Sequence, residues 1–252
     1  MKCAVLKMAG GPVLAFLFLF TCSSCFSQFS DSVFHYFGFN GTGNINNTNT
    51  GTAYIFNNSV KFNISKKNVS VNTFNGWVYG ENNGNKSNND YTSTLDVDLF
   101  KNVRRFYYWG LAGYEKSFSL KIDDRFQTGA GIGYRVVDKE NVSLLLTNGI
   151  LYETTDLREP DQYGRGAYQT VRNSFRIKFR FTVKDVFTVE GTDFLQNSLL
   201  DGSDYIIRSN TSFTMKVYKW LGVTLGVTYN NLHLTRRENF LLNYGLTAER
   251  YF

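Results

Sequence analysis

The chain has 252 residues, a formal net charge of +6 and a mean hydropathy of -0.27. This mildly polar composition excludes a bundle of transmembrane helices, and a small charge excess without a basic run argues against nucleic-acid binding. Aromatic residues make up 17% of the chain, whereas there are only 2 prolines. With 22 glycines and many asparagines, the composition favours strands and turns over helices.

The first 27 residues have the pattern of a secretory signal peptide. Lys2 and Lys7 provide positive charge, and the apolar segment 11–21 follows them. That segment is too short for a membrane-spanning helix, which needs about 20 apolar residues. We therefore expect cleavage after Ser27 and one exported domain formed by residues 28–252.

All 3 cysteines lie in the signal segment, and lipidation of Cys22 or Cys25 is the alternative to simple cleavage. Residues 28–252 contain no cysteine. Backbone pairing and packing must therefore hold the exported domain together, without disulfides or thiolate metal sites.

Beyond the signal segment, apolar residues recur at every second position, which predicts β-strands. The predicted strands cover residues 33–44, 53–64, 69–81, 91–100, 105–118, 125–137, 142–154, 171–183, 187–196, 205–218, 221–234 and 239–252. Lengths of about 10–14 residues suit tilted strands that cross a bilayer.

The predicted connections fall into two alternating kinds. Short turns are expected at 65–68, 102–104, 138–141, 184–185 and 219–220, and longer polar loops include 45–52, 82–89 and 156–167. Short turns on one side and longer loops on the other are typical of outer-membrane barrels. An even number of strands places both chain ends on the periplasmic side.

Strand 125–137 has the clearest division into two faces. One face is apolar, and the other carries Gly129, Gly131 and Gly133 between Arg125 and Arg135. An inward row of glycines leaves space beside the strand. We therefore expect any place with room for a solute to lie beside these glycines.

Strand 171–183 places a row of basic residues opposite a wholly apolar face. A lipid-facing Arg or Lys at the middle of a bilayer costs about 2–4 kcal/mol, so this row must face the lumen. The predicted lumen-lining residues are Arg125, Gly129, Gly131, Gly133, Arg135, Arg172, Arg176, Lys178, Arg180, Glu190, Arg208 and Lys216. Two interpretations remain open: an internal salt-bridge network, or a selectivity wall for small anionic solutes.

Periodicity alone does not distinguish a barrel from a soluble β-sandwich, but strand length and aromatic residues do. Tyr, Trp and Phe cluster at strand ends, where the girdles of a membrane barrel lie. The chain also ends on Phe252 after an alternating strand, an ending that the barrel assembly machinery reads in bacterial outer-membrane proteins. Arg250 is the exception, because it occupies an outward position. The sequence thus predicts an all-β, antiparallel, up-and-down transmembrane barrel of about twelve strands, surrounded by outer-membrane lipids.

No enzyme, cofactor or metal site is expected. The glycines of 129–133 lie inside a strand and no helix follows, so they do not form a nucleotide-binding loop. The chain has 2 histidines, and His233 lies near Asn230 and Asn231 without a serine at matching spacing. Two distant histidines do not make a metal site.

Three segments together resemble a known bacterial family. They are GTGNINNT at 41–48, the block from Asp124 through RFQTGAGIGYRVVDKENVSLLLTNGILYE, and the closing NYGLTAERYF. They resemble the salt-induced outer membrane proteins, a domain of unknown function, in a Bacteroidetes-type member. The resemblance implies an outer-membrane barrel, and it implies no substrate and no catalytic residues.

The first functional hypothesis is a narrow pore, or a structural envelope barrel, with a mildly basic lumen. The alternatives are an outer-membrane lipid-modifying enzyme and a soluble periplasmic β-domain.

Overall fold

The computed structural model describes residues 34–252. The predicted signal peptide, residues 1–27, and its cysteines lie outside the described residues. Within 34–252, no helix is long and apolar enough to span a membrane.

The described residues form twelve β-strands. They are β1 His35–Thr48, β2 Gly51–Ser65, β3 Val69–Asn82, β4 Asn85–Leu99, β5 Phe106–Ser117, β6 Ile122–Lys139, β7 Val142–Leu157, β8 Ala167–Val183, β9 Phe187–Ser198, β10 Tyr205–Tyr218, β11 Leu221–Leu232 and β12 Arg237–Tyr251. Each strand pairs antiparallel with its neighbours in sequence, and β1 pairs with β12 to close the barrel. The prediction of an up-and-down antiparallel barrel of about twelve strands is confirmed.

Successive residues of each strand point alternately into and out of the barrel. On β12 the outward Phe240 and Tyr244 are 65% and 61% exposed, whereas the inward Asn243 between them is 2% exposed. Apolar residues outside and polar residues inside are the reverse of a soluble β-sandwich. This arrangement suits a lipid environment.

The prediction of loops at 45–52 and 82–89 is wrong, because strands occupy most of both segments. β1 continues to Thr48, and only two residues separate it from β2. Asn83 and Gly84 alone connect β3 to β4, with φ of 50° and 75°, as a type I′ turn requires. These polar segments still form strands, because the backbone hydrogen bonds of a β-ladder do not depend on apolar side chains.

These extended strands project beyond the barrel wall. The pairing of β1 with β12 ends at Gly43, and the pairing of β4 with β5 begins only at Asp90. The parts of β1–β4 beyond these points pair only with one another. They form a four-stranded extension at the end of the barrel opposite the one where β1 begins and β12 ends.

Candidate functional site

The interior of the barrel is built from charged side chains on inward positions of the strands. Arg125 on β6 and both Arg172 and Arg176 on β8 are 1%, 0% and 3% exposed. Charges buried this deeply must be paired and hydrogen-bonded to be tolerated. Their partners therefore define the chemistry of the lumen.

Two carboxylates bind Arg172 in a bidentate manner. Glu153 of β7 accepts from Nε at 2.9 Å and from Nη2 at 2.8 Å. Asp204, in the connection between β9 and β10, accepts from Nη1 at 3.0 Å and from Nη2 at 2.9 Å. Bidentate pairs of this kind are among the strongest hydrogen bonds in proteins, so they hold β7, β8 and this connection together.

Glu115 of β5 binds two arginines from different parts of the wall. Arg125 Nη1 lies 3.1 Å from Glu115 Oε2, and Arg208 Nη2 of β10 lies 2.6 Å from the same oxygen. Strands β5 and β10 are five positions apart in a twelve-strand barrel. The contact between Glu115 and Arg208 therefore crosses the lumen.

A second crossing lies between β4 and β8, which are four positions apart. Asp96 Oδ2 of β4 accepts from Arg176 Nη1 at 2.5 Å and from Lys178 Nζ at 2.8 Å. The Arg176 guanidinium also lies 5.1 Å from the centre of the Trp109 ring. One carboxylate thus pairs with two of the predicted basic residues.

The remaining predicted residues lie closer to the end of the barrel at which β1 begins and β12 ends. Lys61 of β2 and Glu190 of β9 form a third cross-lumen pair at 3.0 Å, with side chains 42% and 40% exposed. Arg180 lies directly opposite Glu190 in the ladder between β8 and β9. Water therefore reaches this end of the lumen, in contrast to the dry network around Arg172.

Lys216 and Arg135 have partners on or near their own part of the wall. Lys216 Nζ lies 3.2 Å from Glu249 Oε1 of β12. Arg135 pairs with Asp138 at 3.2 Å beside the turn between β6 and β7, away from the central network.

These pairs form an internal salt-bridge network, one of the two interpretations that the sequence left open. Carboxylates form ion pairs with seven of the eight predicted basic residues. Four of these carboxylates were not part of the sequence prediction: Glu115, Glu153, Asp204 and Glu249. The inward positions of Glu115, Glu153 and Glu249 could have been read from strand alternation. Asp204 could not, because it reaches the lumen from a loop.

The expectation of free space beside the glycines of β6 is wrong. Large side chains pack against all three: Tyr107 against Gly133, Trp109 against Gly131, and Leu151 against Gly129. Tyr107, Trp109 and Leu151 are 2%, 4% and 1% exposed and form one buried cluster. Glycine is needed at these positions because the neighbouring strands place bulky inward side chains at the same depth in the barrel.

A second apolar cluster closes the end of the barrel opposite the chain ends. It consists of Leu120, Ile122, Leu157, Tyr168, Ile206, Leu232 and Leu234. These residues come from the ends of five strands and from two of the connections between them. We call this cluster the apolar cap.

Ion pairs between connections cover the apolar cap. Glu159, between β7 and β8, pairs with Lys121 at 3.1 Å and with Arg237 at the start of β12. The hydrogen bond from Lys121 and the charge of Arg237 hold the pKa of Glu159 below its ordinary value. Asp161 accepts backbone N–H bonds from Tyr163 and Arg165, and although burial raises the pKa of Asp161, these bonds lower it overall.

The two histidines lie at opposite ends of the barrel. His35 begins β1 and stacks on Phe252, with ring centres 5.4 Å apart. His233 follows β11 and stacks on Tyr205, with ring centres 4.5 Å apart. Within residues 34–252, no group of three or more His, Cys, Asp or Glu side chains is arranged to hold a metal ion.

Residues 40–239 match the family described as "Protein of unknown function, DUF481". The chain belongs to the DUF481 family. The match runs from β1 to the first residues of β12, so it includes the three cross-lumen carboxylates, Asp96, Glu115 and Glu190. No curated protein matches this DUF481 chain.

Three solved structures are similar to this DUF481 barrel. The NanC porin is 12% identical over 86% of this chain and 99% of that chain, with a TM-score of 0.48. The translocator domain of the autotransporter NalP from Neisseria meningitidis is 12% identical over 87% and 89%, with a TM-score of 0.47. An outer membrane channel from Pseudomonas putida is 12% identical over 87% and 94%, with a TM-score of 0.45. Each similarity is distant and assigns no ligand or activity to this chain.

Proposed function

We propose that this DUF481 protein is a bacterial outer-membrane barrel with a closed lumen and a structural role in the envelope. Its outer wall is apolar along the strands, and its polar side chains are inside, which supports residence in a bilayer. Outer-membrane lipids are then the partners of the outer wall.

The contacts that cross the lumen carry the proposal of a closed barrel. The interior of a barrel widens with strand number, from one filled by side chains at eight strands to an aqueous channel at sixteen. In a barrel of twelve strands, the inward side chains determine whether the interior is filled or open. Here Arg208 and Glu115 join opposite walls, Arg176 and Asp96 do the same, and the apolar cap lies at one end.

Opening such a lumen would be costly. Separating a buried ion pair leaves uncompensated charge in a low-dielectric interior, at a cost of about 3–5 kcal/mol for each pair. A continuous path for solutes would also require the apolar cap to separate. Both features support a barrel that does not conduct.

Planar-bilayer recording tests the proposal. We expect the purified full-length protein to give no discrete conductance steps, under conditions in which an open porin gives them. Reproducible single-channel steps in wild type would refute the closed barrel and favour the narrow pore.

The narrow pore is the second candidate, favoured by the accessible periplasmic end of the lumen around Lys61 and Glu190. Because basic residues of the lumen are paired with acids, such a pore would select weakly between anions and cations. A reversal potential close to zero in a salt gradient is then expected. Strong anion selectivity would instead support the predicted wall for small anionic solutes.

Cell fractionation separates a membrane barrel from the soluble periplasmic alternative. We expect the protein in the outer-membrane fraction, with gel mobility that changes on heating. Recovery in the soluble periplasmic fraction would refute the proposed location without reference to conductance.

We propose that the protein is not an enzyme, against the lipid-modifying alternative. The separation of His35 from His233, and the stacking of each on an aromatic ring, support this view. We expect no release of fatty acid from phospholipid micelles, and release that depends on His233 would contradict it. Induction by salt stays a prediction, to be tested by measuring expression at increasing sodium chloride.

A further inference from the structure

A recess opens on the outer wall of the barrel beside the connection between β4 and β5. It has a volume of about 350 Å³, and its lining includes Phe100, Arg104, Arg105, Phe106, Tyr108 and Ile132. Phe106, Tyr108 and Ile132 are outward residues that are 65%, 58% and 55% exposed. The recess lies at the end of the barrel where β1 begins and β12 ends, so it faces the periplasmic leaflet in the proposed membrane location.

The connection between β4 and β5, residues 100–105, is held in place by hydrogen bonds. The other connections at this end have only two or three residues: 66–68, 140–141, 184–186 and 219–220. Phe100 O accepts from the backbone N–H of Arg104 at 3.0 Å, and Asn102 Nδ2 donates to Lys66 O at 2.7 Å. Phe100 has a φ of 64°, a conformation that is rare for an aromatic residue and persists only where its surroundings impose it. The backbone that carries Arg104 and Arg105 is therefore fixed by its own contacts.

Arg104 and Arg105 place two positive charges beside the recess. Neither guanidinium forms an ion pair with a carboxylate within residues 34–252. Arg104 lies 5.3 Å from the centre of the Phe100 ring, a cation–π contact with one face of the guanidinium that leaves its N–H donors available. The carboxylate nearest in sequence, Asp98, pairs with Lys101 at 3.0 Å instead. The two arginines can therefore bind an anion from outside the chain.

Small outward residues extend the recess toward the middle of the membrane. On β5 and β6, Gly110 lies opposite Ala130, and Ala112 lies opposite Thr128. A Cβ atom at Gly110 would meet only Gly129 O, at 3.9 Å, so the space outside Gly110 is open. Bulkier outward residues stand on both sides: Leu95 and Val97 on β4, and Ile150 and Tyr152 on β7. A shallow groove thus continues from the recess along β5 and β6.

We infer that the recess and the groove bind one glycerophospholipid of the periplasmic leaflet, with its phosphate on Arg104 and Arg105 and an acyl chain along β5 and β6. The inference rests on the proposed membrane location and adds a specific lipid site to it. Guanidinium groups bind phosphate oxygens through paired N–H donors.

Charge complementarity and shape together favour this occupant. Two cations at the membrane surface beside an apolar groove match a molecule with an anionic phosphate at one end and hydrocarbon at the other. A soluble anion would leave the groove without a ligand, and an uncharged apolar solute would leave Arg104 and Arg105 unpaired. A phospholipid satisfies both parts of the surface.

Native mass spectrometry of the purified protein, released from detergent micelles that contain dioleoylphosphatidylglycerol, tests the inference. We expect one lipid to stay bound at collision energies that remove the others. Arg104→Gln combined with Arg105→Gln should lower the apparent affinity for this lipid about tenfold or more, because charge-assisted hydrogen bonds to the phosphate are lost. Lys66→Gln combined with Lys67→Gln is the matched control, since these two exposed cations lie at the same end and do not line the recess.

The groove is tested by Ile132→Trp, which fills part of the recess. This variant should bind the lipid severalfold more weakly, because the acyl chain loses packing contacts. Ile207→Trp on β10 is the control, an outward isoleucine on another part of the wall that should leave the affinity unchanged. Inorganic phosphate added as a competitor should not displace the lipid, because it cannot occupy the groove.

Three results would overturn the inference: equal lipid affinity in wild type and the double arginine variant, an equal loss in the double lysine control, or displacement of the lipid by inorganic phosphate. Unchanged binding by Ile132→Trp would also contradict the position of the acyl chain. Heat-modifiable mobility of every variant shows that the barrel has assembled. Absence of the protein from the outer-membrane fraction would instead refute the proposed location, and fractionation detects it independently of lipid binding.

Discussion

At the scale of single residues, the lumen depends on carboxylates that each pair with two cations. Asp96 joins Arg176 and Lys178, and Glu115 joins Arg125 and Arg208. Each of these buried charges needs its ion-pair partner, because water cannot solvate an unpaired charge there. The basic row that looks like a selectivity filter in the sequence is therefore part of a salt-bridge network.

Asp96→Asn should destabilise the barrel strongly, because it leaves Arg176 and Lys178 without their carboxylate. We expect a loss of about 3–5 kcal/mol in the free energy of unfolding, measured by urea denaturation in detergent micelles. Asp138→Asn is the control, since the pair of Asp138 with Arg135 is partly exposed and should contribute less than about 1 kcal/mol. Equal losses in the two variants would contradict the argument.

At the scale of elements, β6 shows why a strand in this barrel needs glycine. A Cβ atom at Gly131 would lie 2.2 Å from Asn148 O and 2.6 Å from Gly149 Cα, both on β7. Trp109 on β5 fills the remaining space at 2.8 Å. The conflict is with backbone atoms, which cannot move aside as a flexible side chain can.

Gly131→Ala should therefore prevent normal assembly of the barrel. We expect loss of the heat-modifiable folded band and recovery of the protein as unfolded material. Gly110→Ala on the adjacent β5 is the matched control, because its Cβ would approach only Gly129 O at 3.9 Å. A folded Gly131→Ala protein of normal stability would show that β6 and β7 are not packed as described.

At the scale of the whole molecule, separate hairpins combine to close one end of the barrel. The apolar cap draws on strands from β6 to β11, and Glu159 ties the connection after β7 to Lys121 and Arg237. These contacts join residues that are far apart in sequence. Closure is therefore a property of the assembled barrel and of no single hairpin.

The cap should loosen in acid. Because the pKa of Glu159 in the folded protein lies below its ordinary value of 4.5, its charge stabilises the cap above that value. The stabilisation is lost as pH falls through the lowered pKa. Hydrogen exchange of residues 118–121, corrected for intrinsic rates, should accelerate over this interval.

Glu159→Gln provides the control for the acid effect. In this variant the exchange of residues 118–121 should be fast at every pH, because the pair with Lys121 is absent. A wild-type exchange profile that is flat below pH 4.5 would contradict the assignment.

The amino-acid sequence by itself determined the class of fold. Alternation along strands such as β8 requires two faces in different surroundings, and this local property needs no knowledge of other strands. It located twelve strands and assigned Arg172 and Arg176 to the inner face. Alternation gave the wrong prediction at 45–52 and 82–89, where polar residues form strands by backbone pairing.

Only the tertiary structure decided what the interior does. Whether Arg176 faces open water or Asp96 depends on two strands that lie 80 residues apart, and the closure of the barrel sets their distance. The same holds for the glycines of β6, whose apparent free space is filled by Tyr107, Trp109 and Leu151 from neighbouring strands. Alternation along one strand shows which side of the sheet a residue is on. It does not show which side chain from across the lumen that residue contacts.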